Sequence, residues 1–165
     1  IEVIRQVQEK IPAIHIVIMG VGFHSPNLEK VTNLIKLYGL EENVTLLPWT
    51  EREDIFHIIN KASLYISTAR YEGLPYAVIE AMALKKSFVV TDADGNRDLI
   101  EDGENGYLVK DENSAAFATK IIALIQHNDK RVLFENKSIE KFNARFNIEN
   151  TIPLLEQIYL KEALN

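Results

Sequence analysis

The chain has 165 residues, 47% of them apolar and 25% charged, with a formal net charge of −6 and no cysteine. That is one domain's length of ordinary globular composition, and it excludes disulfides and thiolate metal sites. The acidic balance argues against a duplex nucleic-acid binder, and no apolar run reaches the length of a membrane span.

Ile1, Ile4, Val7 and Ile11 recur at helical spacing. The chain opens inside this pattern on Ile1 and without a Met, so it reads as a segment of a longer protein. "I-H-I-V-I-M" (14–19) is a short β-branched strand ended by the turn "G-V-G". Asn27 to Gly39 is a helix that Asn27 can cap and Gly39 stops. "V-T-L-L" (44–47) is a strand ended by Pro48, and 51–62 an amphipathic helix with acids in its first turn, where the helix dipole favours them.

"L-Y-I-S" (64–67) is the next strand. A helix begins near Pro75, a residue suited to a helix's first turn. A strand over 87–91, a short helix near 96–101, the turn "E-D-G-E-N-G" and a short strand "Y-L-V" (107–109) follow. The rest is helical over 114–126, 129–146 and 148–163.

Strands separated by helices imply parallel strands joined by right-handed crossovers, and short β-branched runs suit a sheet covered on both faces. The expected fold is α/β: a doubly wound parallel sheet of Rossmann-like topology in a single domain over 1–165, with a helical tail from about residue 129. Ligands of such sheets bind at the carboxyl ends of the strands. Four loops leave those ends, at 20–25, 48–50, 69–73 and 92–96.

The Gly20–Gly22 loop lacks the third glycine and the acidic partner of a dinucleotide fingerprint, and two glycines after a strand are more often only a tight turn. His24 is a loop residue, His15 lies in a strand, and His57 and His127 lie on helices. No pair has zinc-ligand spacing, and no metal site is predicted.

The stretch "Y-E-G-L-P-Y-A-V-I-E-A-M-A" (71–83) carries the strongest signal. The amides of Gly73, Leu74 and Tyr76 would point out of the helix start, where donors and dipole attract phosphate. Glu80 stands in a helix whose other residues are apolar on every face, as in a helix buried all round. An ionised carboxylate there needs partners. About 9 Å along the axis and leaning back toward the start, it sits one sugar from a bound phosphate. Either two ribose hydroxyls or a buried Arg or Lys would satisfy it. Glu72 is either an exposed cap or an acceptor for neutral hydroxyls beyond the phosphate. Trp49 either packs on a flat base or fills a partly buried site. Asp92, Asp94, Asn96 and Arg97 form either contacts to a sugar or acceptor, or a turn and cap.

The ordered set of "V-T-L-L-P-W-T", the Glu-x7-Glu stretch and "S-F-V-V-T-D-A-D-G-N-R-D-L-I-E-D-G-E-N-G-Y-L-V" resembles the C-terminal, donor-binding domain of family-four retaining glycosyltransferases, which have the two-domain GT-B fold. The likeness covers most of 14–109, and the tail with "L-L-E-Q-I-Y" looks like that family's end. It implies that Glu80 holds the ribose hydroxyls and that the Gly73 and Leu74 amides hold the diphosphate. Glu72 would hold donor-sugar hydroxyls and stabilise positive charge at the ring. Trp49 and Thr50 would meet the base, and Gly20, Gly22, Asp94, Gly95 and Asn96 would line the pocket. No cofactor is implied beyond the nucleotide-diphosphate sugar, which is a substrate.

Two departures from the pattern matter. The family's domain starts with a central strand and a loop-helix bearing a basic pair, and this sequence starts after that strand. A gap in the sheet is therefore expected, to be filled by a companion segment or by self-association, and Arg70 does not replace the basic pair. The N-terminal acceptor domain is also outside the sequence, so this chain alone is expected to bind nucleotide weakly and transfer nothing. The intact enzyme is expected in the cytoplasm, with contact at the inner membrane face left open. The alternatives are a non-catalytic Rossmann-like nucleotide-binding module and a GT-B-fold epimerase. A pyridoxal phosphorylase would need a cofactor lysine, and Lys85 and Lys86 have no supporting context.

Overall fold

The computed structural model describes residues 1–21, 27–110 and 113–163. The chain forms two compact units. The first holds α1 (Glu2–Gln8), β1 (Ile16–Ile18), α2 (Leu28–Leu37), β2 (Val44–Leu46), α3 (Arg52–Lys61) and α6 (Ser114–Gln126). The second holds β3 (Tyr65–Ser67), α4 (Tyr76–Ala83), β4 (Phe88–Thr91), α5 (Asp94–Leu99), β5 (Gly106–Val109), α7 (Asn128–Arg145) and α8 (Ile148–Ala163). Among the described residues, no helix is long and apolar enough to cross a membrane.

All strand pairing is parallel, as the alternation of strands and helices requires. The strands form two sheets, β1-β2 in the first unit and β3-β4-β5 in the second. Ile16 faces Val44 in the first sheet; in the second, Tyr65 faces Phe88 and Phe88 faces Gly106.

In the first unit, Ile4, Ile35, Leu40 and Val44 form a buried cluster, with Ile16, Ile18 and Val31 packed on it. Helix α6 lies along α1. Helix α2 ends where glycine was expected to end it. Gly39 takes φ 63°, its amide donates to the Lys36 carbonyl at 3.1 Å, and the Leu40 amide donates to the Ile35 carbonyl at 2.9 Å. This left-handed terminator satisfies carbonyls that the last turn leaves open. At the other end, Asn27 occupies the cap position but makes no side-chain cap bond, so the expected cap is not formed.

In the second unit, Phe88, Val89 and Val90 are fully buried, and α4 packs on α7. Phe134 of α7 is enclosed and meets Tyr107 edge-on at 5.2 Å between ring centres. Helix α4 ends like α2, with Lys85 in place of glycine. Lys85 has φ 56°, its amide reaches the Met82 carbonyl at 2.9 Å, and the Lys86 amide reaches that of Ala81 at 3.1 Å. Lys86 itself is buried, and its ammonium donates to the Ala62 carbonyl at 3.0 Å.

Candidate functional site

Strand β3 delivers the chain to the loop that carries Glu72, Gly73 and Leu74, and α4 leaves that loop. Pro75 is buried at the cap position, one residue before the helix rather than in its first turn. With ψ near 101° its backbone is extended, and its carbonyl accepts from the amides of Val78 at 3.0 Å and Ile79 at 3.3 Å. No side chain caps α4. Among the described residues, the amides of Gly73, Leu74, Tyr76 and Ala77 have no acceptor. Donors free at a helix start, reinforced by the dipole, are what an anion seeks.

The helix is not buried on every side. It buries Val78, Ala81 and Met82 but leaves Tyr76 75% exposed and Ala77 exposed. Glu80 is half-buried, on the border of the open face. The all-apolar sequence misled because alanine and tyrosine fill an open face without marking it as polar. Glu72 is also half-buried. Both carboxylates act on one group: burial raises the pKa of the Tyr65 hydroxyl above its ordinary value, and the charges of Glu80 and Glu72 add to that. The two carboxylates thus lie within electrostatic reach of a common point in this unit.

A buttress stands behind the loop. The Thr91 hydroxyl donates to the Ser67 carbonyl at 3.2 Å, joining the ends of β4 and β3. Asn96, fully buried, donates its side-chain amide to the Thr91 carbonyl at 2.8 Å and fixes α5 on β4. The Gly95 amide donates to the Glu72 carbonyl at 2.9 Å, fixing α5 on the loop. Asp94 lies exposed beside this and pairs with Arg97 at 2.7 Å; Asp92 pairs with the same guanidinium at 2.6 Å. The short helix starts at Asp94, two residues earlier than the spacing implied.

One unit therefore brings together Glu72, Gly73, Leu74, Glu80, Asp94, Gly95 and Asn96. Tyr65 and Thr91, which sequence reasoning did not single out, belong with them. Their signal was weak: each lies inside a strand, where a polar side chain more often serves the ladder's surroundings.

Gly20, Trp49 and Thr50 belong to the other unit, at the ends of β1 and β2. Gly20 takes φ 77°, and the next amide, of Val21, donates to the Leu47 carbonyl at 2.9 Å. A cavity of about 300 Å³ opens between Ile18, Gly20, Val21 and the start of α2. Trp49 is 88% exposed, which rules out the packing alternative within this structure. The Thr50 hydroxyl donates to the Pro48 carbonyl at 2.9 Å and so shapes its own turn. Gly22 and His24 lie outside the described residues.

Parallel strands with intervening helices, and a donor-rich helix start at a strand end, are Rossmann-like features, as in one half of a GT-B fold. The family model "Glycosyl transferases group 1" matches residues 1–141, and the chain belongs to that family. It is 31% identical over 153 residues to a poly(ribitol-phosphate) alpha-N-acetylglucosaminyltransferase of Staphylococcus aureus, covering 92% of this chain and 30% of that protein. A structure of a point mutant of S. aureus TarM, in complex with Fondaparinux, alpha-GlcNAc-glycerol and UDP, superposes with a TM-score of 0.84 at 30% identity. It covers 96% of this chain and 31% of that one. The C-terminal domain of a group 1 family protein (LpcC) of Francisella tularensis matches in fold, with a TM-score of 0.78 at 23% identity, over 89% of this chain and 77% of that one. The chain spans between 22% and 44% of the length of eight curated relatives it matches.

Proposed function

We propose that this segment is the donor-binding part of a retaining glycosyltransferase that uses a nucleotide-diphosphate sugar. The observation that carries the reading is the uncapped loop and helix start at Gly73–Ala77, with Glu72 before it and Glu80 one side chain's reach along it. Donor amides suit a diphosphate, and carboxylates suit hydroxyls. UDP in the complex of the TarM mutant, at 30% identity, supports a diphosphate nucleotide.

In this reading the Gly73 and Leu74 amides bind the diphosphate and Glu80 binds the ribose hydroxyls. The Asp94 loop borders the donor. The bond from the anomeric carbon to the diphosphate oxygen breaks, and its electron pair leaves with the diphosphate. Amides aimed at that growing charge stabilise it. Glu72 holds sugar hydroxyls and steadies the positive charge at the ring. The acceptor's hydroxyl oxygen forms the new bond on the face the diphosphate leaves, and its proton passes to the departing phosphate oxygen. Acceptor recognition is assigned to the rest of the intact enzyme, since the chain spans 40% and 44% of the length of two relatives.

Calorimetric titration of the intact protein with UDP, GDP and ADP and their sugars tests the reading. One diphosphate binds, and Glu80→Gln abolishes that binding. Retained binding in a Glu80→Gln variant that is also more stable would make Glu80 a structural carboxylate and end the assignment.

A further inference from the structure

The start of α5 meets the Glu72 loop more closely than any side chain permits. A Cβ built on Gly95 would lie 2.3 Å from the Gly73 carbonyl oxygen, 2.7 Å from the Gly73 carbonyl carbon and 2.7 Å from the Glu72 carbonyl oxygen. All three are backbone atoms, which cannot swing aside as a flexible side chain would. Gly95 is also buried and donates its amide to the Glu72 carbonyl at 2.9 Å. The α5 side of the contact is tethered, whereas Gly73 lies exposed on the loop. Asn96 ties α5 to the Thr91 carbonyl, and Thr91 is tied to Ser67 at the end of β3.

We propose that Gly95 is a positioning residue: its missing side chain sets where Glu72 and the Gly73 amide stand. The inference rests on the donor-site reading for its consequence in catalysis, but the contact itself does not. A methyl group at Gly95 pushes the Glu72–Gly73 backbone outward, because the tethered α5 cannot yield. The same movement breaks the Gly95–Glu72 hydrogen bond. Displacing a positioned group by about 1 Å costs on the order of a hundredfold in rate.

Gly106 supplies the control. It too is enclosed, since a Cβ there would lie 2.7 Å from Phe88 Cβ, 2.9 Å from Ile100 Cγ2 and 3.0 Å from the Phe88 carbonyl oxygen, but it faces the core and not the loop. Gly95→Ala and Gly106→Ala are compared in the full-length protein at a temperature where circular dichroism shows both folded. Amide hydrogen exchange is read first, without substrate. Protection at position 95 is lost in Gly95→Ala and kept in Gly106→Ala; unchanged protection in both overturns the proposal. Turnover of the nucleotide sugar comes second. Gly95→Ala lowers kcat about a hundredfold, whereas Gly106→Ala changes it no more than its unfolded fraction. Equal losses in the two variants make Gly95 a packing residue only. Failure of the donor reading shows separately, as nucleotide binding untouched by Glu80→Gln, and leaves the exchange result standing.

Discussion

The buried Asn96 donates its only side-chain hydrogen bond among the described residues to the Thr91 carbonyl, and its own carbonyl oxygen has no donor there. The residue is held by half of its amide. Asn96→Ala removes one of two donors to the Thr91 carbonyl, which keeps the Ala93 amide at 2.8 Å, and should cost about 0.5–1.5 kcal/mol, the unmade bond being partly offset by removal of the unpaired oxygen. Asn96→Asp keeps the shape but must be protonated to donate. Its folded pKa is then raised above the unfolded value of about 3.9. Stability is intact below that value and is lost as pH rises through the folded pKa. Urea unfolding at pH 7 should rank wild type above Ala and Ala above Asp, with the Asp deficit narrowing at pH 4.

Lys85 holds a left-handed backbone at the end of α4, a conformation that costs an L-residue roughly 1–2 kcal/mol. Lys85→Gly relieves this but adds freedom to the unfolded chain. The expected net gain is about 0.5–1 kcal/mol, read as a higher urea midpoint at unchanged slope. A loss would show that the lysine side chain contributes more than its backbone costs.

Asp92 is held below the ordinary carboxylate pKa, chiefly by its hydrogen bond from Arg97 and then by that residue's charge. A depressed folded pKa gives stability that is complete above the unfolded value of about 3.9 and is lost as pH falls through the folded pKa. Arg97→Met should therefore destabilise only slightly at pH 7, since the guanidinium is half exposed and screened by water. The difference should narrow as pH falls below the unfolded value and vanish once Asp92 is protonated in both states. A pH-independent difference would assign the effect to packing.

Phe134 is fully enclosed against Tyr107. Phe134→Ala leaves a cavity that α7 cannot collapse around and should cost about 3–5 kcal/mol by urea denaturation. A loss under about 1 kcal/mol would mean that α7 re-docks.

Most of the element plan was legible because the signals were local. The β-branched runs gave strands β1 to β5 to within one or two residues, and Gly39 ended α2 as its freedom allows. The helix at 76–83 and the family were legible from the two spaced glutamates and the motifs around them. What escaped was set by contacts. The open side of α4 was hidden by residues that do not mark exposure. Asn27 offered a cap that the backbone did not take up. Gly95 looked like one more pocket-lining glycine, and only the clash that a Cβ there would make with the Gly73 carbonyl shows what its missing side chain does. Lys85 in a left-handed position contradicts residue preference outright, since the terminator was imposed by the helix end and not chosen by the residue.

Helix α6 packs on α1, and the Gln6 side chain donates to the Ser114 hydroxyl at 3.2 Å across 108 positions of sequence. The first unit is therefore stitched from the two sides of an intervening stretch that holds all of β3 to β5. On a ribosome adding roughly 5–20 residues per second, α1 waits about 5–20 s for its covering helix. Loop closure of that length also slows the step itself. A nascent chain stopped before Ser114 leaves the α6-facing side of α1 uncovered, so sticking to other chains is greatest during that interval and ends when α6 arrives.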